Sequence, residues 1–197
     1  MTDFPWGAMF GLLFMTMGPV RALAVFSKVG ESDTAPGVRS LAFRSSALVA
    51  AAFLLAVLIG NGVLRNWGVT FPVLIGAAGL VLVALSLQTL LWPSPVGSAS
   101  VNPAAMPAAA VAFPGLFPPI AVAVPLIFSV PFPGVETKIG ILAMGIGLIA
   151  VNLLLMLRSK AILSIIGPVP LQLFGAVFGV LQLALGLQFI ANAFAMN

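Results

Sequence analysis

The chain is predicted to be an all-α membrane protein whose six transmembrane helices form two inverted three-helix repeats, with helices one and four discontinuous. Three observations predict it. Of 197 residues, 61% are hydrophobic and 6% charged, and the mean hydropathy of +1.23 lies far outside the range of soluble domains. Segments of about 20 apolar residues, enough to cross about 30 Å of hydrocarbon as helix, can be placed six times. The second half also repeats the first at an offset of one hundred residues: Ala84, Leu85, Leu87 and Gln88 recur as Ala184, Leu185, Leu187 and Gln188. Gly79 recurs as Gly179, Pro19 as Pro119, Leu48 as Leu148, and Leu54 and Leu55 as Leu154 and Leu155. A unit with an odd number of spans leaves its ends on opposite sides of the bilayer, so a tandem copy must insert upside down.

The spans are expected at 6–27, 44–64, 69–91, 108–130, 138–157 and 169–194. Residues 1–91 form the first repeat and 108–197 the second. Between them, 92–107 is rich in Pro, Ser, Ala and Gly and uncharged, the composition of a flexible linker. The least secure start is that of the sixth span. Gly167-Pro168-Val169-Pro170 cannot continue a regular helix, so AILSII just before it reads as an interfacial or half-length helix, and Gly68-Val69-Thr70-Phe71-Pro72 is a similar break in the first copy.

Basic residues set the orientation. Lys28, Arg39 and Arg44 follow span one, Arg65 follows span two, Lys138 precedes span five, and Arg158 and Lys160 follow it. With both termini outside, five of these seven face the cytoplasm, against two in the opposite orientation. The first span lacks a basic leader and a small-residue cleavage site, and reads as a retained helix.

Prolines interrupt two spans. Met17-Gly18-Pro19-Val20-Arg21 breaks span one, and Phe113-Pro114-Gly115-Leu116-Phe117-Pro118-Pro119 breaks span four. A proline at depth removes an N–H and frees a carbonyl, which lipid cannot satisfy, so such breaks survive only against protein or a wet cavity. In inverted-repeat transporters paired breaks meet near the midplane and bind the solute. Thr16, Gly18, Pro19, Arg21, Pro118 and Pro119 are therefore candidate substrate-binding residues, and the alternative is that the prolines only kink helices for packing. Arg21 costs about 2.5 to 3.5 kcal/mol at a helix centre. Either it faces the bundle interior, where it can hold a substrate carboxylate, or it snorkels to the headgroups near Lys28.

Gln88 and Gln188 join the candidates because the repeat puts them at equivalent places in spans three and six. Interhelical hydrogen bonding is their competing role, and it is also the expectation for Asn61, Ser86, Asn152, Gln172, Gln182 and Asn192. The chain has no Cys and no His, and its four carboxylates (Asp3, Glu31, Asp33, Glu136) all fall in expected loops or at the amino terminus. Zinc, thiol and buried acid–base chemistry are thereby removed, so no catalytic residue, metal or cofactor is expected and the chain does not read as an enzyme. The net charge of +4 is scattered between apolar runs and reads as a topology signal, not as a nucleic-acid surface.

These motifs resemble those of the MarC family of bacterial inner-membrane proteins. The resemblance rests on LLFMTMGPVRALAVFSKV (12–29), SLAFRSSALVAAAF (40–53), GVTFPVLIGAAGLVLVALSLQTL (68–90), AVAFPGLFPPIAVAV (110–124) and LFGAVFGVLQLALGLQFIANAF (173–194). It implies a six-span inner-membrane protein of the wider amino-acid exporter group, some of whose members are assigned to small neutral amino acids such as glycine and alanine. The family usually has Asn-Pro at the first break, where this chain has Gly18-Pro19, and a Gly-Pro-Gly-like turn where it has Phe117-Pro118-Pro119. The expected function is secondary transport or export of a small polar solute, a neutral amino acid by the resemblance, through alternating access at broken helices one and four. The alternative is a non-transporting accessory or structural subunit of a larger membrane complex. Expected partners are the lipid bilayer, the solute, and other membrane subunits or further copies of the chain.

Overall fold

The computed structural model describes residues 4–26, 35–91 and 107–196. The expected linker falls almost entirely outside these residues, as do Lys28, Asp3, Glu31 and Asp33. The described chain is helical without strands. In order, the elements are α1 (Trp6–Met17), α2 (Pro19–Phe26), α3 (Ala35–Asn66), α4 (Phe71–Leu91), α5 (Ala108–Leu116), α6 (Ile120–Ser129), α7 (Val135–Leu157), α8 (Ser159–Ile166) and α9 (Pro168–Ala195). Five stretches are long and apolar enough to cross a membrane, with α1 and α2 counted together, and α5 with α6 makes a further bent pair at 55°.

The apolar surface is that of a protein solvated by lipid. Leu54, Leu55, Leu58 and Ile59 on α3, and Leu173, Phe174, Val177 and Val180 on α9, all point outward. Water would penalise contiguous apolar faces of this extent, whereas hydrocarbon does not. The interior is closed by aromatic rings and small residues: Phe53 of α3 is fully buried, with its ring in the notch left by Gly145 of α7, and Trp6 of α1 lies over Gly140 of α7.

α3 begins nine residues before the expected span, at Ala35 instead of 44. Its first turns carry the exposed Arg39 and Ser40, which lower the local hydropathy, so the expected span starts late. The breaks near 68 and 167 are present. Gly68 and Gly167 have φ of +66° and +74°, a left-handed conformation that favours glycine, and Gly167 separates the short helix α8 from α9.

α4 packs along α9, α3 against α7, and α1 against α6. The α4–α9 contact is antiparallel and very close. A methyl group on Gly79 would stand 2.7 Å from the Gly186 carbonyl oxygen, and one on Gly186 would stand 2.9 Å from that of Gly79. Further along, Gly76 faces the Ala193 methyl at 3.3 Å and Gly179 faces Leu90 at 3.1 Å. Small residues let the backbones approach this closely, which is how helices associate without a hydrophobic drive between them. Gly79→Ala is expected to destabilise the fold by about 1–3 kcal/mol through backbone overlap. Gly147→Ala on α7, where nothing lies within 4 Å, should be neutral or slightly stabilising, since Gly in a helix costs about 0.5–1 kcal/mol relative to Ala. Thermal unfolding of the two variants in detergent checks this difference in sign.

Candidate functional site at the paired helix breaks

The first break follows from Gly18 and Pro19. Pro19 has no N–H, so the carbonyl of Met15, four residues earlier, has no helical donor. Gln182 of α9 supplies one, its Nε2 donating to Met15 O at 2.6 Å. Gly18 is extended (φ −82°, ψ −177°), and the Arg21 N–H turns to Gly18 O at 3.1 Å instead of to Met17 O. Asn152 of α7 takes up that second orphan, donating from Nδ2 to Met17 O at 2.5 Å. Two amides from two other helices thus satisfy two of the carbonyls that the break releases. Gly18 itself is tightly held, because a methyl there would overlap the Phe14 carbonyl oxygen.

The second break repeats this logic with a different donor. Helix α5 widens through Val111–Leu116, where Phe117 N–H reaches back five residues to Ala112 O at 2.8 Å, and it is interrupted at Phe113 (φ −127°, ψ 125°). Pro118 and Pro119 lack N–H groups, so the carbonyls of Pro114 and Gly115 lose their helical partners. Arg21 takes both. Its Nε donates to Gly115 O at 2.7 Å and its Nη2 to Pro114 O at 3.2 Å. A guanidinium is always charged and presents five N–H groups in a planar fork, which suits it to two adjacent carbonyls.

The two breaks therefore meet, and Arg21 joins them. Of the expected site residues, Gly18, Pro19, Arg21, Pro118 and Pro119 come together here. The Arg21 side chain is turned toward the second break. Thr16 is buried next to the first break, but its hydroxyl is engaged by its own helix, donating to Leu12 O at 2.7 Å. Gln88 and Gln188 are not brought to the breaks: both are exposed, and Gln188 Nε2 donates to Asn192 Oδ1 on the same helix at 2.8 Å. Sequence reasoning grouped Asn152 and Gln182 with general interhelical bonding and missed their shared role. The available signal was a lone amide in α7 and one of four amides in α9, but residue type does not reveal which carbonyl an amide will meet.

Around this junction, charge is scarce. Glu136, the one carboxylate among the described residues, lies in the first turn of α7, and Arg21 has no acidic partner among them. Beside the second break, Ala52, Phe113, Pro114, Phe117, Pro119 and Val122 line a cleft of about 360 Å³ with apolar walls. No set of three or more His, Cys, Asp or Glu residues that could hold a metal occurs among the described residues. Compared with protein-family models, curated proteins and solved structures, the chain matches none.

Proposed function

We propose that the chain is a secondary transporter or exporter of a small polar solute that moves by rocking one half against the other about the joined breaks. The observation that carries this reading is the Arg21 brace: a cation in one broken helix with no acidic partner among the described residues, bonded to carbonyls released by the other. The carbonyl bonds use two of its five N–H groups, so the others can receive a solute carboxylate. The neutral amino acids implied by the MarC-like motifs carry such a group.

The inverted-repeat arrangement is part of the proposal, and the packing supports it. α5 and α6 advance in one direction along α3: Leu116 shares a small cavity with Ser46, Phe117 meets Phe53 edge-to-face, Leu126 meets Gly60, and Ser129 bonds Asn61. Such an advance supports a single crossing by α5 and α6, and with it a reading of six crossings and termini on one side. The Gly79–Ile190 and Gly179–Leu90 contacts also map onto each other through the hundred-residue offset, as a two-fold relation between the halves requires. Arg39, Arg44, Arg158 and Lys160 then share one face and Arg65 and Lys138 the other, which favours an inner-membrane protein with termini outside.

Proteoliposomes loaded with labelled glycine or alanine test the reading. Flux above empty liposomes that falls to background in Arg21→Ala is the expected result, and no flux for any small zwitterion would count against it. The rival reading, a structural subunit, draws on the fact that Arg21 already bonds its own chain. Co-purification at fixed stoichiometry with another membrane complex would favour that reading.

A further inference from the structure

Two buried side-chain atoms among the described residues lack a hydrogen-bond partner, Ser46 Oγ and Asn152 Oδ1. They belong to different helices, α3 and α7, and their residues line the same small, partly open space of about 10 Å³ together with Val49, Leu116, Ile149 and Met156. Ser46 is 6% exposed and Asn152 4%. An orphaned polar atom costs about 1–3 kcal/mol in a buried site, and two orphans converging on one space of about a single probe sphere are what a bound water requires.

We infer that this space is a binding site for one neutral hydrogen-bond donor, a water molecule, which bridges Ser46 Oγ and Asn152 Oδ1. The donor inventory decides the ligand class. Asn152 commits its Nδ2 to Met17 O, and reversing the amide would set two carbonyl oxygens against each other, so the group offered to the cavity is an acceptor. An anion finds the wrong group there. A bare cation is disfavoured as well, because Leu116 on the cavity wall directly follows Gly115, whose carbonyl already holds the Arg21 guanidinium, and like charges repel strongly at low dielectric. The water completes a chain from the Met17 carbonyl at the first break, through the Asn152 amide, to Ser46, with Leu116 of the second break on its wall. It is a hydrated contact between the two halves, and it does not depend on the identity of any transported solute.

Radiolytic footprinting of the full chain in nanodiscs, with hydroxyl radicals generated from bound water, tests the site. Met156 and Met9 are both fully buried, and only Met156 borders the cavity. Met156 is expected to be oxidised while Met9 is protected. Ser46→Val, which fills the space, should abolish the Met156 oxidation, and Ser46→Ala, which leaves room for the water, should retain it. Equal protection of both methionines in the unmodified chain would overturn the inference. Undiminished oxidation of Met156 in Ser46→Val would also overturn it, and suppression of the oxidation by sodium relative to choline would assign the site to a cation instead.

Discussion

Arg21→Ala is expected to destabilise the protein by about 1–3 kcal/mol, the cost of leaving the part-buried Gly115 carbonyl without its donor, with a smaller loss at the exposed Pro114 carbonyl. Removing a guanidinium also relieves its unfavourable insertion into lipid, but that cost is shared by the inserted, unpacked chain and largely cancels from the folding equilibrium. The lost hydrogen bonds therefore decide the sign. Arg21→Met keeps most of the stem and none of the donors, so it should fall as far as Ala. Arg21→Lys offers a compact ammonium in place of a fork and should satisfy one carbonyl, giving an intermediate stability. Thermal unfolding of the four proteins in one detergent measures the order. An Arg21→Met variant as stable as the parent would show that Gly115 O and Pro114 O do not depend on this side chain.

Gly18→Ala is expected to cost about 3 kcal/mol or more, a large effect for one methyl group. The obstacle is the Phe14 carbonyl oxygen, which belongs to the backbone and cannot move aside by changing rotamer. Relief requires the break to change shape, and Met15 O and Met17 O then leave Gln182 and Asn152. The penalty thus combines overlap with lost hydrogen bonds. Gly18→Asn, which would create the MarC-type Asn-Pro pair, meets the same obstacle and should fail equally. The amount of folded, monodisperse protein and the thermal midpoint relative to Gly147→Ala check both variants. Unchanged midpoints would mean that the extended geometry at Gly18 is not required.

The sequence revealed the breaks well and the partners across them poorly. Prolines act locally, through a missing N–H and a fixed φ, so Pro19, Pro118 and Pro119 marked where carbonyls would be released before any neighbour was known. The short helix α8 and the glycine stops at Gly68 and Gly167 were readable for the same reason. The start of α3 was not, because Pro36, Arg39 and Ser40 make its first turns look like a loop to hydropathy. Satisfaction of the released carbonyls depends on long-range packing: Arg21 reaches Gly115, Asn152 reaches Met17 and Gln182 reaches Met15, all across more than ninety residues of chain. In helices apolar on nearly every side, periodicity does not tell an inward face from one toward lipid. Gln88 and Gln188 illustrate this, since the repeat singled them out and both lie on exposed faces.

The central claim is that broken helices from the two halves are in contact, and a paired-cysteine experiment tests it most directly because the chain contains no native Cys. A side chain at Gly115 would begin 3.6 Å from both methyl groups of Val25, within the span of a disulfide whose Cβ atoms sit about 3.5–4.5 Å apart. In native membranes under mild oxidation, the double variant Val25→Cys/Gly115→Cys should form an intramolecular disulfide as readily as the α4–α9 control pair Leu90→Cys/Gly179→Cys. If the control pair closes while both thiols introduced at the breaks remain free, the two breaks do not meet.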